Sequence, residues 1–135
     1  MRSTLIPGVS KVSTLTVDRP RTIDFLGEDL RVYATPELVR DFEVTCRELL
    51  LEHSDSGEDS VGTGISVAHT GATLLGMEVE VSAQVKEVTG RTVKFILSAR
   101  DGVEVIATGE HSRVVVNVDK LRSRVAAKRA AATSP

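Results

Sequence analysis

Two side chains fall where an apolar residue is expected, and both are of types that move protons. At about 100° per helical residue Glu43 lies between Val39 and Cys46, at the margin of an otherwise apolar helix face. A carboxylate there costs free energy to desolvate unless it is paired or protonated. It is either a boundary glutamate whose head reaches water or a general base or nucleophile held beside a core. His69 closes the run Gly62-Thr63-Gly64-Ile65-Ser66-Val67-Ala68-His69, in which Ile65, Val67 and His69 share one strand parity. If the first two face the helix, the imidazole points to the surface that holds Glu43. It is either a satisfied structural histidine or a proton-transfer group. Gly62 and Gly64 have no Lys or following helix that would make a phosphate loop, so they read as a place where a ligand or another backbone comes close. Arg113 interrupts an otherwise apolar run ending Val114-Val115-Val116, as a surface arginine or one that faces a ligand. His53, at a helix end, and His111, beside Glu110, carry less weight.

These residues need elements to position them. Thr35, Pro36 and Glu37 make a strong helix start: an N-cap type, a proline for the first turn and a negative charge against the positive end of the dipole. From there Leu38, Val39, Phe42, Cys46, Leu49 and Leu50 recur at three- and four-residue steps, with Arg40, Asp41, Arg47 and Glu48 opposite. The polar run 54–60 ends the helix and reads as a mobile loop with no reason to pack. Upstream, residues 13–17 alternate as a strand does and 22–26 form a second extended piece. Downstream, residues 61–70, 77–88, 91–99 and 103–118 are rich in β-branched side chains with alternating polarity. Their separators, 71–76, Thr89-Gly90 and Asp101-Gly102, have hairpin composition, so four strands in a meander are expected. The tail from Asp119 is rich in Ala, Lys and Arg, helical at first and fraying towards Pro135.

One helix against a run of antiparallel strands is an α+β domain with the helix across a curved sheet. The chain of 135 residues is read as one domain, its core about 10–120 and its helical tail 119–135. Hydrophobic residues make up 41% but aromatic ones only 3%, with no Trp, so the core is built from Val, Leu, Ile and Ala. With 17 Lys and Arg against 19 Asp and Glu and no central basic stripe, nucleic acid is a poor partner. No apolar run approaches the roughly 20 residues of a membrane helix, and residues 1–11 lack a signal peptide's apolar centre. The single cysteine, Cys46, forms no internal disulfide and has no clustered His or second Cys for a metal, which points to a reducing cytoplasm, no structural metal and no cofactor.

Taken in order, Val32-Tyr33-Ala34-Thr35, Glu43 eight positions on, Gly62-Thr63-Gly64-Ile65 leading into His69-Thr70-Gly71-Ala72-Thr73, Ala99-Arg100-Asp101-Gly102-Val103 and Gly109-Glu110-His111-Ser112-Arg113 resemble the fluoroacetyl-CoA thioesterase family of hot-dog-fold enzymes over roughly residues 10–125. The resemblance implies a hot-dog fold, a long helix wrapped by a curved antiparallel sheet. It implies a catalytic group of Thr35, Glu43 and His69, and an acyl pocket that includes Gly62 and Arg113. It also implies a homodimer with pockets at the subunit interface, and an acyl-CoA substrate. The segment Leu26-Gly27-Glu28-Asp29-Leu30, which borders that pocket by the same resemblance, carries no aromatic residue.

Those residue types suit thioester hydrolysis. Glu43 could attack to form a mixed anhydride or could activate water, Thr35 could hydrogen-bond Glu43 or the acyl carbonyl, and His69 could donate a proton. Two other classes stand beside this one. A non-catalytic acyl-CoA-binding module would keep the pocket, and a dehydratase acting on enoyl or hydroxyacyl thioesters would need an Asp and a His close together, which Asp41 alone matches poorly.

Overall fold

In the computed structural model, which describes residues 1–133, five antiparallel strands form one sheet around a long helix. The strands are β1 Ser10–Thr16, β2 Glu58–His69, β3 Glu78–Thr89, β4 Thr92–Arg100 and β5 Val105–Asn117. The helices are α1 Thr35–Leu51 and α2 Val118–Thr133. The α+β hot-dog expectation holds, and α1 and every strand lie close to where periodicity puts them. The fraying expected towards Pro135 falls partly on residues outside those described.

The core forms because α1 and the inner sheet face bring their apolar periods together. Leu38, Phe42, Cys46 and Leu49 are fully buried, opposite Val79, Val81, Val93, Phe95 and Leu97. In β4 every second residue is buried, the signature of a sheet with one covered face. Truncating a side chain as central as Phe42 to Ala costs about 3–5 kcal/mol by cavity formation. Cys46 lies in this layer, and burial pushes its thiol up to about 12, which leaves it inert.

The sheet order is β1-β3-β4-β5-β2, and this corrects the meander. β3, β4 and β5 are consecutive neighbours, but β2 pairs with β5 and not with β3. Residues 71–77 are therefore a crossover from one edge to the far side. The tie of Tyr33 N–H to the Thr73 carbonyl (2.8 Å), an isolated bridge between Val32 and Leu74, and mutual bonds of Val17 with Gly76 and Met77 hold it. Gly-containing composition marks both a hairpin and a crossover, and only the pairing tells them apart. The turns at Gly90, with φ +60°, and at Asp101, whose Oδ1 accepts from Val103 and Glu104 N–H, are tight as expected.

Two further expectations are corrected. The polar run 54–60 is not an unpacked loop: β2 begins at Glu58, the Arg47 guanidinium grips Asp59 through two bonds of 3.0 and 2.7 Å, and Ser60 is buried. The extended piece at 22–26 reduces to a single bridge from Thr22 to Tyr33, flanked by short 3-10 turns at Arg19–Arg21 and Glu28–Leu30. The tail is helical over Val118–Thr133 but buries none of its residues. Among the described residues no helix is long and apolar enough to cross a membrane.

Candidate active site

Helix α1 runs antiparallel to β2, so that its first turn meets the end of β2 and its middle meets the β2 bulge. At the first meeting, Thr35 does not cap the helix. Ala34 occupies the N-cap position in an extended conformation, with no side-chain cap bond. The Thr35 hydroxyl is thereby free, and it shares a 2.8 Å hydrogen bond with His69 Nδ1. His69 packs edge-on against Tyr33, centroids 6.2 Å apart, and its Nε2 is buried with no hydrogen-bond partner. Burial pushes the His69 pKa below its ordinary value, with the nearby Gly71 backbone opposing that shift.

Tyr33 is itself fixed by a buried network that the helical pattern concealed. Asp41, assigned to the solvent face, is 6% exposed and accepts from the Tyr33 hydroxyl. It also accepts from Arg21 through Nε (2.9 Å) and Nη2 (3.1 Å). Burial first, and the bond to Asp41 second, raise the Tyr33 pKa, so it stays a neutral donor. An acidic residue can face inward at such a position because it has three donors.

The second meeting gathers Glu43, Gly62 and Arg113. The Glu43 side chain is 42% exposed, and its Oε2 lies 3.7 Å from Arg113 Nη1. Gly62 sits at the β2 bulge, where a Cβ would lie 3.2 Å from that same Oε2. Arg113 is 5% exposed, not a surface arginine. Its Nε donates to Ser60 Oγ at 2.8 Å and its Nη2 to the Ser60 carbonyl at 2.9 Å. Burial lowers its pKa while Cys46, Glu43 and Asp59 oppose the shift, and a guanidinium so placed keeps its charge. Beside Glu43 a cleft of about 260 Å³ opens, lined by Val39 and Val44 and by Arg40, Arg47 and Arg113.

One chain thus brings Thr35 to His69, and Glu43 to Gly62 and Arg113, but holds the two groups apart. Eight helical residues separate Thr35 from Glu43, roughly 12 Å of rise. Seven strand residues separate Gly62 from His69, roughly 23 Å. The parity reading of β2 holds only in part: Ile65, Val67 and His69 pair in unbroken register, but only Val67 and His69 are half-buried, while Ile65 is exposed on an edge strand. His111, given little weight beside Glu110, is 3% exposed and belongs to the second group: its Nε2 meets Arg113 Nη1 at 3.3 Å. The available signal was its place two residues before Arg113, on the same face of β5. His53 lies two residues past α1, its Nδ1 on Thr4 Oγ1 at 2.7 Å, remote from either group in sequence and contact.

A half-exposed carboxylate beside a fixed guanidinium, and a hydroxyl–imidazole pair with one buried free nitrogen, supply a base or nucleophile and a proton donor. Among the described residues no group of three or more His, Cys, Asp or Glu could hold a metal. Comparison with known proteins gives this constellation a context. The family model described as FlK, fluoroacetyl-CoA-specific thioesterase, matches residues 17–119. The fluoroacetyl-CoA thioesterase of Streptantibioticus cattleyicolor is 34% identical over 124 residues, 92% of this chain and 86% of that protein. A variant of the fluoroacetyl-CoA-specific thioesterase FlK, solved in complex with fluoroacetate and CoA, superposes with a TM-score of 0.80 at 32% identity, over 87% of this chain and 99% of that one. A Thermus thermophilus member of the thioesterase superfamily superposes with a TM-score of 0.85 at 27% identity, over 98% and 99% of the two chains.

Proposed function

The chain belongs to the fluoroacetyl-CoA-specific thioesterase family and is a thioester hydrolase acting on acyl-CoA, and from that premise we propose that it hydrolyses a short acyl-CoA through Thr35, Glu43 and His69. The observation that carries this reading is the Glu43 carboxylate, which lines a small cleft, packs against Gly62 and is held 3.7 Å from Arg113. At that distance the arginine attracts the carboxylate without occupying it, so an oxygen stays free for chemistry.

Glu43 either attacks the thioester carbonyl, forming a mixed anhydride that water then opens, or takes a proton from the attacking water. His69, hydrogen-bonded through Nδ1 to Thr35, is the proton donor and acyl-positioning group, and its Nε2, covered in the single chain, must be uncovered for that role. Backbone N–H groups near the start of α1 and at Gly62 are candidates for the oxyanion. Gly62 and Arg113 line the acyl pocket.

Because one chain keeps the two groups apart, this reading includes a homodimer in which each site draws on both copies. β2 supports it. It is an edge strand with residues 61–66 exposed on both faces, an unpaired edge of the kind proteins cover. Gly62 is the fifth of its twelve residues and His69 the last, so an antiparallel two-fold pairing centred between them sets the Glu43 group of each copy beside the His69 group of the other. The lone buried thiol suits the cytoplasm we assign to it.

The test is a thiol-release screen over acetyl-, propionyl- and longer acyl-CoAs, with the oligomeric state measured by sedimentation velocity. The reading expects turnover greatest on the shortest chains, and a dimer. Tight acyl-CoA binding without thiol release over hours would instead assign a binding module, and an active monomer would remove the shared site.

A further inference from the structure

The buried imidazole that the proposed mechanism does not use is His111, and its two nitrogens are committed to partners of opposite kind. Nδ1 lies 2.7 Å from the Gly64 carbonyl oxygen, which can only accept. Nε2 lies 3.3 Å from Arg113 Nη1, which can only donate. Only one protonation state satisfies both contacts. The ring is neutral, Nδ1 carries the hydrogen, and Nε2 offers its lone pair to the guanidinium. An imidazolium would set an Nε2–H against the Nη1–H, and the other neutral tautomer would set two donors together and leave a bare Nδ1 on a carbonyl.

The ring is held in that attitude by its surroundings. It stacks on Phe95 with centroids 6.2 Å apart and planes 26° apart. Its Cε1 lies 3.2 Å from the point where a Cβ on Gly62 would sit. The charged groups acting on it are Arg113, on its own strand, and Glu43, from α1. Arg113 in turn has few ways to move: Ser60 takes Nε and Nη2, and His111 takes Nη1. Nη1 is also the guanidinium atom that faces Glu43.

We infer that His111 is a positioning residue: as the neutral, Nδ1-protonated tautomer it locks Arg113 Nη1 opposite Glu43 and ties that geometry to the β2 bulge through the Gly64 carbonyl. It touches no reacting atom. Its effect runs through Arg113 to the carboxylate, and the catalytic part of the inference rests on the role proposed for Glu43. A kcat effect follows because Glu43 is displaced from its working direction, while the cleft walls at Val39 and Val44 stay in place.

The experiment has two arms on the full chain. In the first, nitrogen-15 NMR of the imidazoles near neutral pH reads the tautomer without any activity. A protonated Nδ1 with an unprotonated Nε2 at His111 is expected, and an Nε2–H tautomer or an imidazolium overturns the inference. In the second, His111→Leu keeps an apolar body against Phe95 but loses the acceptor, whereas His111→Gln places an amide oxygen near the Nε2 position. For His111→Leu we expect kcat to fall about tenfold or more with KM within about twofold, and for His111→Gln a return of most of that loss. Equal kcat values for the two variants overturn the inference. Should His111→Leu not fold, the tautomer and the His111→Gln kcat, expected within about threefold of the parent, decide it alone. Glu43→Gln, assayed in parallel, separates the two claims. An active Glu43→Gln sinks the catalytic reading and leaves the tautomer standing, whereas an inactive Glu43→Gln with an unaltered His111→Leu sinks the positioning role.

Discussion

Gly62→Ala probes the Glu43 group with one methyl. The new Cβ would lie 3.2 Å from Glu43 Oε2, 3.2 Å from His111 Cε1 and 3.5 Å from Arg113 Nη1. Ordinary carbon contacts are about 3.5–4.0 Å, so the first two neighbours must each give by a few tenths of an ångström. His111 is pinned by Gly64, Arg113 and Phe95, which leaves the Glu43 carboxylate as the part that swings away. The backbone at Gly62 has no positive φ, so alanine meets no conformational strain there. Its lower unfolded-state entropy is worth roughly 0.4–1 kcal/mol, which offsets the crowding, and Tm should shift by no more than about 5 °C. Activity responds differently. A displacement near 1 Å of a catalytic group costs about 10²-fold, so a shift of half that size predicts a loss of roughly tenfold in kcat, close to 1.4 kcal/mol of barrier. Thiol release from acetyl- and propionyl-CoA, with thermal melts beside it, reads both quantities. Turnover within twofold of the parent at an unchanged Tm would refute the reasoning, because it would mean that Glu43 is not held against Gly62 when it acts.

Asp41→Ala strips the buried Tyr33 hydroxyl and the half-buried Arg21 of their acceptor and should lower the unfolding free energy by about 1–3 kcal/mol, measured by urea denaturation; a change below about 1 kcal/mol would contradict the bracing role. Thr35→Ser keeps the hydroxyl that meets His69 and should hold kcat within about threefold, whereas Thr35→Val should lower it about tenfold; equal values for the two would show that the hydroxyl is idle. Burial holds both His69 and His111 below the ordinary imidazole value, so near and below about pH 6.5 the unfolded chain binds more protons than the folded one. Their contribution to stability is whole above that pH and is lost as pH falls through the ordinary value towards the lowered ones. The urea midpoint should drop between about pH 7.5 and 5.5, and drop less in a His69→Gln/His111→Gln variant; an identical drop would place the protons elsewhere.

Much of this architecture was legible because it follows from periods. Leu38, Phe42, Cys46 and Leu49 recur as a helix stripe, and the alternation in β3 and β4 repeats as a strand does, so both elements and their inner faces emerge from local sequence. Strand order was not legible, since the composition of residues 71–77 fits a hairpin as well as a crossover, and the difference lies in which distant strand β2 meets. Asp41 escaped because a charge on a helix normally marks solvent, and only its pairing with Arg21, twenty residues away, and with Tyr33 makes the inward position tolerable. Thr35 reads as an N-cap from composition and as a catalytic residue from the resemblance; the cap position belongs to Ala34, and the hydroxyl bonds His69. His111 looked like a neighbour of a surface glutamate, yet strand alternation turns it to the side opposite Glu110 and onto Arg113.

The steady-state kcat of Glu43→Gln on the best short acyl-CoA bears most directly on the whole account, because the amide keeps the shape of the side chain and removes its basicity. A fall of at least about 10²-fold with an unchanged fold is expected of a group that serves as base or nucleophile. Turnover within a few-fold of the parent would contradict the assignment of hydrolysis to this carboxylate.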